Sequence, residues 1–354
     1  MNIRHLRLVA GPVLALGLVL AGTAVSPAQA ARGAGGGTDW LSGQLDEGLL
    51  YNDQYGFNDY GLTADAAIAL DAVGGHARQE AAIRKALARN VDSWTTGADF
   101  GSSDQYAGST AKAVVLAQAV GAAPRSFGGV DLVARLNGLI GTEGPARGRI
   151  RDAAEVDYAN TIGQAFAVQG LSQARSGKAD DALSFLLKQQ CSAGFFRLSF
   201  APATQRRQSC DDGSAALSTP DTDATALALL SLDDLATKGP RVRAAINDAA
   251  RWLKRTQKDN GSFGGGASTE SSNTNSTGLA AWALGETGSC AAAGRAAQWV
   301  LRLQKRNGAI AYDRAGFASG RDGIQKTERD QFRRATAQAA PGLRYLDRRA
   351  CSNG

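Results

Sequence analysis

Carboxylate and phenol side chains recur just before a series of threonines that open apolar segments of the sequence. Asp221 and Asp223 precede Thr225 by four and two residues. A carboxylate placed there can act as a general acid or base, or it can accept hydrogen bonds from the start of a helix. The candidates that share this placement are Asp59, Tyr60, Tyr106, Asp157, Tyr158, Asp221, Asp223 and Asn275. We expect them to bind a small molecule, a glycan or a peptide, and a structural helix cap is the alternative for each carboxylate.

A second candidate set lies inside the apolar segments. Asp65 and Lys112 each follow a threonine by two residues, and Trp282 lies in a later segment. A buried charge must be paired. Asp65 and Lys112 therefore either form a structural ion pair or line a wet central cavity, and we include both with Trp282 among the ligand-binding candidates.

The apolar segments are copies of one element that the sequence repeats six times. Each copy opens on a threonine and continues with small or apolar residues on nearly all sides, which is the composition of a buried helix. The copies open at Thr63, Thr110, Thr161, Thr225, Thr277 and Thr336. The pattern predicts six inner helices, and parallel packing would bring their N-termini to one mouth.

A second repeated element precedes most of these helices and ends in Gln-x-x-x-Gly. It occurs as Gln44/Gly48, Gln190/Gly194, Gln257/Gly261 and Gln304/Gly308, and the second and third copies are degraded. The element predicts the end of an amphipathic outer helix, with the glycine in the left-handed conformation and the glutamine amide bonded to open backbone groups. Six outer and inner helix pairs can form a solenoid or a ring. The lack of clear polar capping repeats favours the ring.

This repeat resembles a known family. The stretch Gln257-Lys-Asp-Asn-Gly261-Ser-Phe263 is similar to the QW-type repeat of squalene and terpene cyclases, with Phe263 where that family usually has tryptophan. The resemblance covers residues 39–346. It implies the six-pair α/α toroid shared by those cyclases, prenyltransferase β-subunits, complement thioester domains and transcobalamins. Because these relatives do unrelated things on one scaffold, it predicts an all-α fold more firmly than an activity.

One motif bears on activity. Asp221-Thr-Asp223-Ala224 is similar to the Asp-x-Asp-Asp motif with which class II cyclases protonate an alkene. Asp223 has the position of the acid, but Ala224 replaces the last aspartate. A lone carboxylate at an open helix N-terminus should be ionised and a poor acid. Aromatic residues that stabilise carbocations are few, at 6%, and export would separate the protein from polyprenyl substrates made inside cells.

The sequence alone therefore favours non-catalytic binding at the mouth of the inner helices. The alternative is a terpene-cyclase-like or glycan-processing enzyme that uses Asp223 as its acid. We expect no metal and no cofactor, because the cysteines lack metal-ligand spacing and the chain after residue 30 has His76 as its one histidine. A formal net charge of +6 is too small to imply binding to nucleic acid.

Residues 1–30 have the pattern of a secretory signal peptide. Arg4 and Arg7 precede an apolar run, and Ala28-Gln29-Ala30 offers a cleavage site after Ala30. We expect a secreted, extracellular monomer with no membrane attachment after cleavage. Residues 31–38 are predicted to be a glycine-rich linker, and residues 39–354 the toroid domain.

Four cysteines in an exported chain predict two disulfides. Three connectivities are possible. We favour Cys191–Cys210, which would close a loop rich in Gly, Ser and Arg, and Cys290–Cys351, which would fasten the C-terminal tail.

Overall fold

The computed structural model describes residues 32–212 and 215–351. Within these residues six inner helices form a closed ring, in which each inner helix packs on the next and the sixth packs on the first. The inner helices are α2 (Tyr60–Val73), α5 (Ala107–Ala119), α7 (Thr161–Gln173), α9 (Thr222–Asp233), α11 (Thr274–Glu286) and α14 (Lys326–Ala339). The prediction of an all-α, closed α/α toroid is confirmed.

An outer layer of helices surrounds the ring. It consists of α1 (Ala34–Ser42), α3 (Ala77–Arg89), α6 (Leu132–Gly138), α8 (Ala179–Lys188), α10 (Pro240–Thr256) and α12 (Cys290–Leu301). Two short helices, α4 (Val91–Thr95) and α13 (Arg314–Ser319), and one hairpin of β1 (Tyr51–Asn52) and β2 (Phe57–Asn58), lie in the connections.

The inner helices are buried on almost every side, as their composition predicts. Ala64, Ala111 and Ala280 are fully buried. Small residues also let neighbouring helices approach closely, because a Cβ at Gly278 of α11 would overlap the backbone of Ala339 in α14. Burial of apolar surface stabilises a fold by about 25 cal/mol per Å², so this layer supplies most of the stabilisation of the ring.

The Gln-x-x-x-Gly element forms a joint between successive outer helices. Gly261 has a φ of 91°, in the left-handed region as predicted. A Cβ there would lie 2.7 Å from the carbonyl oxygen of Arg295 in the next outer helix. The Gln257 side-chain amide donates to the carbonyls of Gly261 and Ala292 at 3.0 and 2.9 Å. The glutamine therefore connects its own turn to the helix of the following repeat.

The threonine of the repeat ties four of the six inner helices to the turn before them. The Thr277 hydroxyl donates to the carbonyl of Asn273 at 2.6 Å and accepts from the backbone N–H of Phe263 at 2.9 Å. The same two bonds are made by Thr63, Thr225 and Thr336. These threonines are scaffold residues.

The N-terminal helix α1 closes the ring with the same joint. Gln304 donates to the carbonyls of Gly308 and Gly33 at 3.0 and 2.9 Å, and accepts from the backbone N–H of Gly33 at 2.6 Å. The expected linker over residues 31–38 is therefore wrong from residue 33 onward. Glycines at these positions allow close packing, since a Cβ at Gly37 would lie 3.0 Å from the Cβ of Ala340.

The third inner helix has a different register from the one that the sequence suggests. Asn160 caps α7 with its side-chain oxygen, and the residue four positions after this cap is Gln164. Gln164 accepts from the backbone N–H of Ile150 and donates to the carbonyl of Gly148, both at 2.9 Å. It thus replaces the scaffold threonine, and the register based on Thr161 is wrong by three residues.

The sixth inner helix also differs from its prediction. Helix α14 begins at Lys326, ten residues before Thr336. Its extra turns place Arg333 and Arg334 near the predicted mouth. The helix ends at Ala339, and the chain continues through a 3-10 helix at Pro341–Leu346, because proline cannot continue the backbone bonding of an α-helix.

Both favoured disulfides, Cys191–Cys210 and Cys290–Cys351, are present. The predicted signal peptide lies outside the described residues. Among the described helices, none combines the length and the apolar character needed to span a bilayer.

Candidate functional site

A cavity of about 580 Å³ lies within the ring, and all six inner helices line it. Its wall is built in layers one helix turn apart. The layer two residues after each scaffold position consists of Asp65, Lys112, Phe166, Leu227, Leu279 and Gln338. A volume of this size is typical of a small-molecule site.

Asp223 lies in the first turn of α9 and lines this cavity. Its Oδ1 atom is buried and has no hydrogen-bond partner among the described residues. Burial raises the pKa of Asp223 to about 6, the negative charge of Asp221 adds to this effect, and the Ser276 hydroxyl opposes it. The expectation that Asp223 is an open carboxylate is therefore wrong, because it faces the cavity.

A glycine-rich turn covers Asp223. A Cβ at Gly265 would lie 3.2 Å from the Asp223 Oδ2 atom, and one at Gly266 would overlap the carboxylate of Asp221. Side chains at these positions would force the turn away from both acids. The turn therefore helps to exclude water from Asp223, which is the physical origin of its raised pKa.

Asp65 and Lys112 form an ion pair of 2.6 Å between Oδ1 and Nζ. The Lys112 ammonium also lies 5.7 Å from the centre of the Phe166 ring. Lys112, Ile162 and Phe166 line both the central cavity and a second pocket of about 360 Å³. They form a partition between the two, so the ion pair is structural and lines the cavity at once.

The second pocket lies at the N-terminal mouth, and we call it the mouth pocket. Tyr106, Tyr158, Trp94 and Asn160 line it. Tyr158 is 77% exposed. The structure thus brings two of the predicted tyrosines together at one opening.

The other predicted mouth residues have structural partners. Asp59 and Asp221 cap α2 and α9 by accepting from backbone N–H groups at 2.8 Å, and Asp59 also pairs with Arg334. Asp157 is not a cap, because the register of α7 differs. It pairs with the buried Arg149 at 2.7 Å.

Two more candidates remain. The Tyr60 hydroxyl donates to the side chain of Asn90 at 3.4 Å. Asn275 has a buried Oδ1 atom without a partner among the described residues. The candidates that line the central cavity are therefore Asp65, Lys112, Asp223 and Trp282.

Sequence reasoning missed the far end of the cavity, which we call the acidic rim. The rim consists of Asp71, Asp233, Asp234 and Glu286, all at the C-terminal ends of inner helices. It also missed Phe166, because the register of the third repeat was wrong. The spacing of Asn160 and Gln164, which matches Asp59 and Thr63, is the signal that finds it.

No group of His, Cys, Asp and Glu in residues 32–212 and 215–351 is arranged to hold a metal ion.

No protein-family model and no curated protein matches the sequence. Solved structures do match over nearly their whole length. A protein from Actinoplanes has a TM-score of 0.60 at 18% identity, with 87% of this chain and 97% of that chain covered. The type II terpene cyclase MstE from Scytonema, in its apo form, has a TM-score of 0.59 at 18% identity, with 88% and 96% covered.

A glycosidase variant has a TM-score of 0.56 at 11% identity, with 89% of this chain and 96% of that chain covered. At such identities the likeness establishes the fold. The protein has an α/α-toroid fold like that of these terpene cyclase and glycosidase structures.

Proposed function

We propose that the central cavity binds an elongated, largely apolar molecule with carbon–carbon double bonds, and that Asp223 protonates it. The observation that carries this proposal is the Asp223 carboxyl group at one end of the cavity. Its buried Oδ1 atom has no hydrogen-bond partner among the described residues, and burial raises its pKa. A general acid works best when its pKa is close to the working pH. The mouth carboxylates Asp59 and Asp157 do not compete for this role, because arginines already pair with them.

The walls favour an apolar occupant over a glycan. Ile68, Val115, Leu227, Leu230 and Leu279 face the cavity. Sugar hydroxyls placed against these five side chains would lose their hydrogen bonds to water and gain none from the side chains in return. The likeness to MstE, whose solved complexes include geranylgeranyl dihydroxybenzoate as substrate, supports an isoprenoid-like ligand.

The proposed reaction is an isomerisation. The Asp223 proton is transferred to one carbon of the terminal double bond, the π electrons form the new C–H bond, and the other carbon becomes a tertiary cation. The next double bond attacks that cation and closes a ring. The last cation loses a neighbouring proton to water at the open end of the cavity, so substrate and product have the same formula.

Two aromatic rings are placed to stabilise such cations. Phe166 and Trp282 both line the cavity. A cation over an aromatic face gains about 0.5–2 kcal/mol. Trp282 is held by a bond from its indole N–H to Glu286 at 3.0 Å.

Binding without turnover is the second candidate function, because the cavity needs no chemistry in order to hold a ligand. In either case the two disulfides support the proposal that the protein works in an oxidising compartment after export.

The test uses geranylgeraniol as a probe, with product detection by gas chromatography and mass spectrometry and binding measured by calorimetry. We expect wild type to form cyclic isomers. Asp223→Asn should bind the probe normally but lose turnover by about a thousandfold or more, since the proton source is gone.

Asp221→Asn is the matched control, because it changes the neighbouring aspartate and keeps an amide oxygen that can cap α9. It should retain most of the turnover. Binding by wild type without any product would contradict the acid role and favour non-catalytic binding instead.

A further inference from the structure

The polar groups at the two ends of the cavity differ in how they are paired and in their exposure. At the inner end, Asp223 is covered by the glycine turn and Lys112 is paired with Asp65. At the outer end, Asp71 and Asp234 of the acidic rim are exposed while lining the same cavity. The cavity is therefore closed over its acid and open to solvent at the rim.

The acidic rim carries more negative than positive charge. Arg344 pairs with Glu286 at 3.3 Å, and Lys238 pairs with Asp233 at 3.2 Å. Asp234 accepts from the neutral amides of Gln169 and Gln173. Two cations thus face four carboxylates.

Asp71 has no hydrogen bond or ion pair among the described residues, and the partial loss of water contact beside the cavity raises its pKa. The inner helices also end here. The C-terminus of an α-helix carries about half a negative charge from its unsatisfied carbonyl groups. The rim therefore has a negative potential that comes from the backbone as well as from side chains.

An amphipathic ligand has one orientation that suits this arrangement. Its apolar tail fits between the leucine and aromatic walls, with the terminal double bond at Asp223. Its head group stays at the rim, about 15 Å away, since Asp223 and Asp233 are ten residues apart on one helix. The head group then lies among carboxylates and helix C-termini.

We infer that the substrate is an isoprenoid whose head group donates hydrogen bonds and carries no negative charge, such as an alcohol, a phenol or an amine, and that diphosphates are rejected. This inference rests on the proposed function, and it names the substrate class. Carboxylates and backbone carbonyls accept hydrogen bonds from hydroxyl and ammonium groups. A diphosphate at the same place meets like charges without enough cations to neutralise it. Rejection of diphosphates also suits the predicted export of the protein.

The test compares three probes with one tail: geranylgeraniol, geranylgeranylamine and geranylgeranyl diphosphate. Calorimetry on the full chain, below the micelle concentration of each probe, measures the three affinities. We expect the alcohol and the amine to bind at least about tenfold more tightly than the diphosphate. This difference in affinity should become smaller at high salt.

A double variant identifies the rim as the cause. In the variant with both Asp71→Asn and Asp234→Asn, the alcohol and the amine should bind at most about threefold more tightly than the diphosphate, because the two exposed carboxylates are removed. The matched control is Glu143→Gln with Asp180→Asn, which removes two exposed charges outside the cavity and should leave the difference in affinity unchanged.

Each outcome decides something. If wild type binds the diphosphate as tightly as the alcohol, the head-group inference is wrong while the acid role of Asp223 stands. The same holds if the difference in affinity persists unchanged in the rim variant. If none of the three probes binds, both the inference and the proposed function fail.

Discussion

The N-terminal end of the ring and its central cavity use polar residues in opposite ways. At the N-terminal end the polar groups bond to the backbone or to each other, and the same contacts recur from repeat to repeat, as at Thr63 and Thr277. In the cavity, Asp223, Lys112 and Trp282 occupy positions where the residue type varies between repeats. The difference teaches that repetition marks the scaffold of this toroid, and that departures from repetition mark its site.

The sharpest test of the scaffold concerns the joint that closes the ring. Gly308 has a φ of 95°, and a Cβ there would overlap the carbonyl of Gly36 in α1. We expect Gly308→Ala to lower the free energy of unfolding by about 3 kcal/mol or more, because strain and overlap act together. Urea denaturation followed by circular dichroism measures it.

Gly74→Ala is the control for backbone strain alone. Gly74 has a φ of 82°, but a Cβ there would meet no atom within 4 Å. It should cost about 1 kcal/mol. Equal effects of the two substitutions would show that the joint adds nothing to the ring.

The candidate site, in contrast, should lower the stability of the protein at neutral pH, because it keeps a carboxyl group buried. The pKa of Asp223 is raised by burial to about 6 from an ordinary value of 3.8. The stability linked to this group is therefore complete below pH 4 and is lost as the pH rises through 6. We compare the change in the free energy of unfolding caused by Asp223→Asn at two pH values. This change should be about 2–3 kcal/mol more favourable at pH 7.5 than at pH 4.

Urea denaturation at both pH values measures this effect. Asp221→Ala provides the contrast two residues away. It removes the cap of α9 and should lower stability by about 1 kcal/mol at neutral pH. A pH-independent effect of Asp223→Asn would mean that folding does not change the pKa of this carboxyl group.

A smaller effect on stability distinguishes the scaffold threonine Thr277 from Thr161, which has no scaffold role. Thr277→Val removes the acceptor for the buried N–H of Phe263, and we expect a loss of about 1–2 kcal/mol in thermal or urea unfolding. The Thr161 hydroxyl is buried and has no hydrogen-bond partner within the described part of the chain. Thr161→Val should therefore leave the free energy of unfolding unchanged or raise it slightly. If it lowered that free energy as much as Thr277→Val does, Thr161 would be the scaffold threonine of the third repeat, as the sequence suggests.

Sequence analysis could predict the scaffold because self-comparison detects whatever repeats. The closed ring and the left-handed Gly261 follow from it and are confirmed. Both disulfides, which were predicted from the four cysteines of an exported chain, are also present. It failed where one residue type replaces another in the same role. Gln164 substitutes for a threonine. The three glycines at residues 35–37 form part of a helix rather than a linker, because Gly36 and Gly37 pack closely against other segments of the ring.

The candidate site was less predictable for a physical reason. Whether Asp223 faces solvent or the cavity depends on the turn at Gly265, which lies far away in sequence. Its neighbour Asp221 has the same side chain but occupies the N-cap position of α9. Only the three-dimensional arrangement separates the cap from the candidate acid, and the same is true of the acidic rim.

The most direct measurement of the central claim is the transfer of a proton from the protein to the ligand. Wild type and Asp223→Asn are incubated with geranylgeraniol in deuterated buffer near pH 6, and the products are analysed by mass spectrometry and NMR. The account predicts one deuterium in each cyclic product, at the carbon of the former terminal double bond, and no product from Asp223→Asn. Products without deuterium, or equal turnover by the variant, would contradict it.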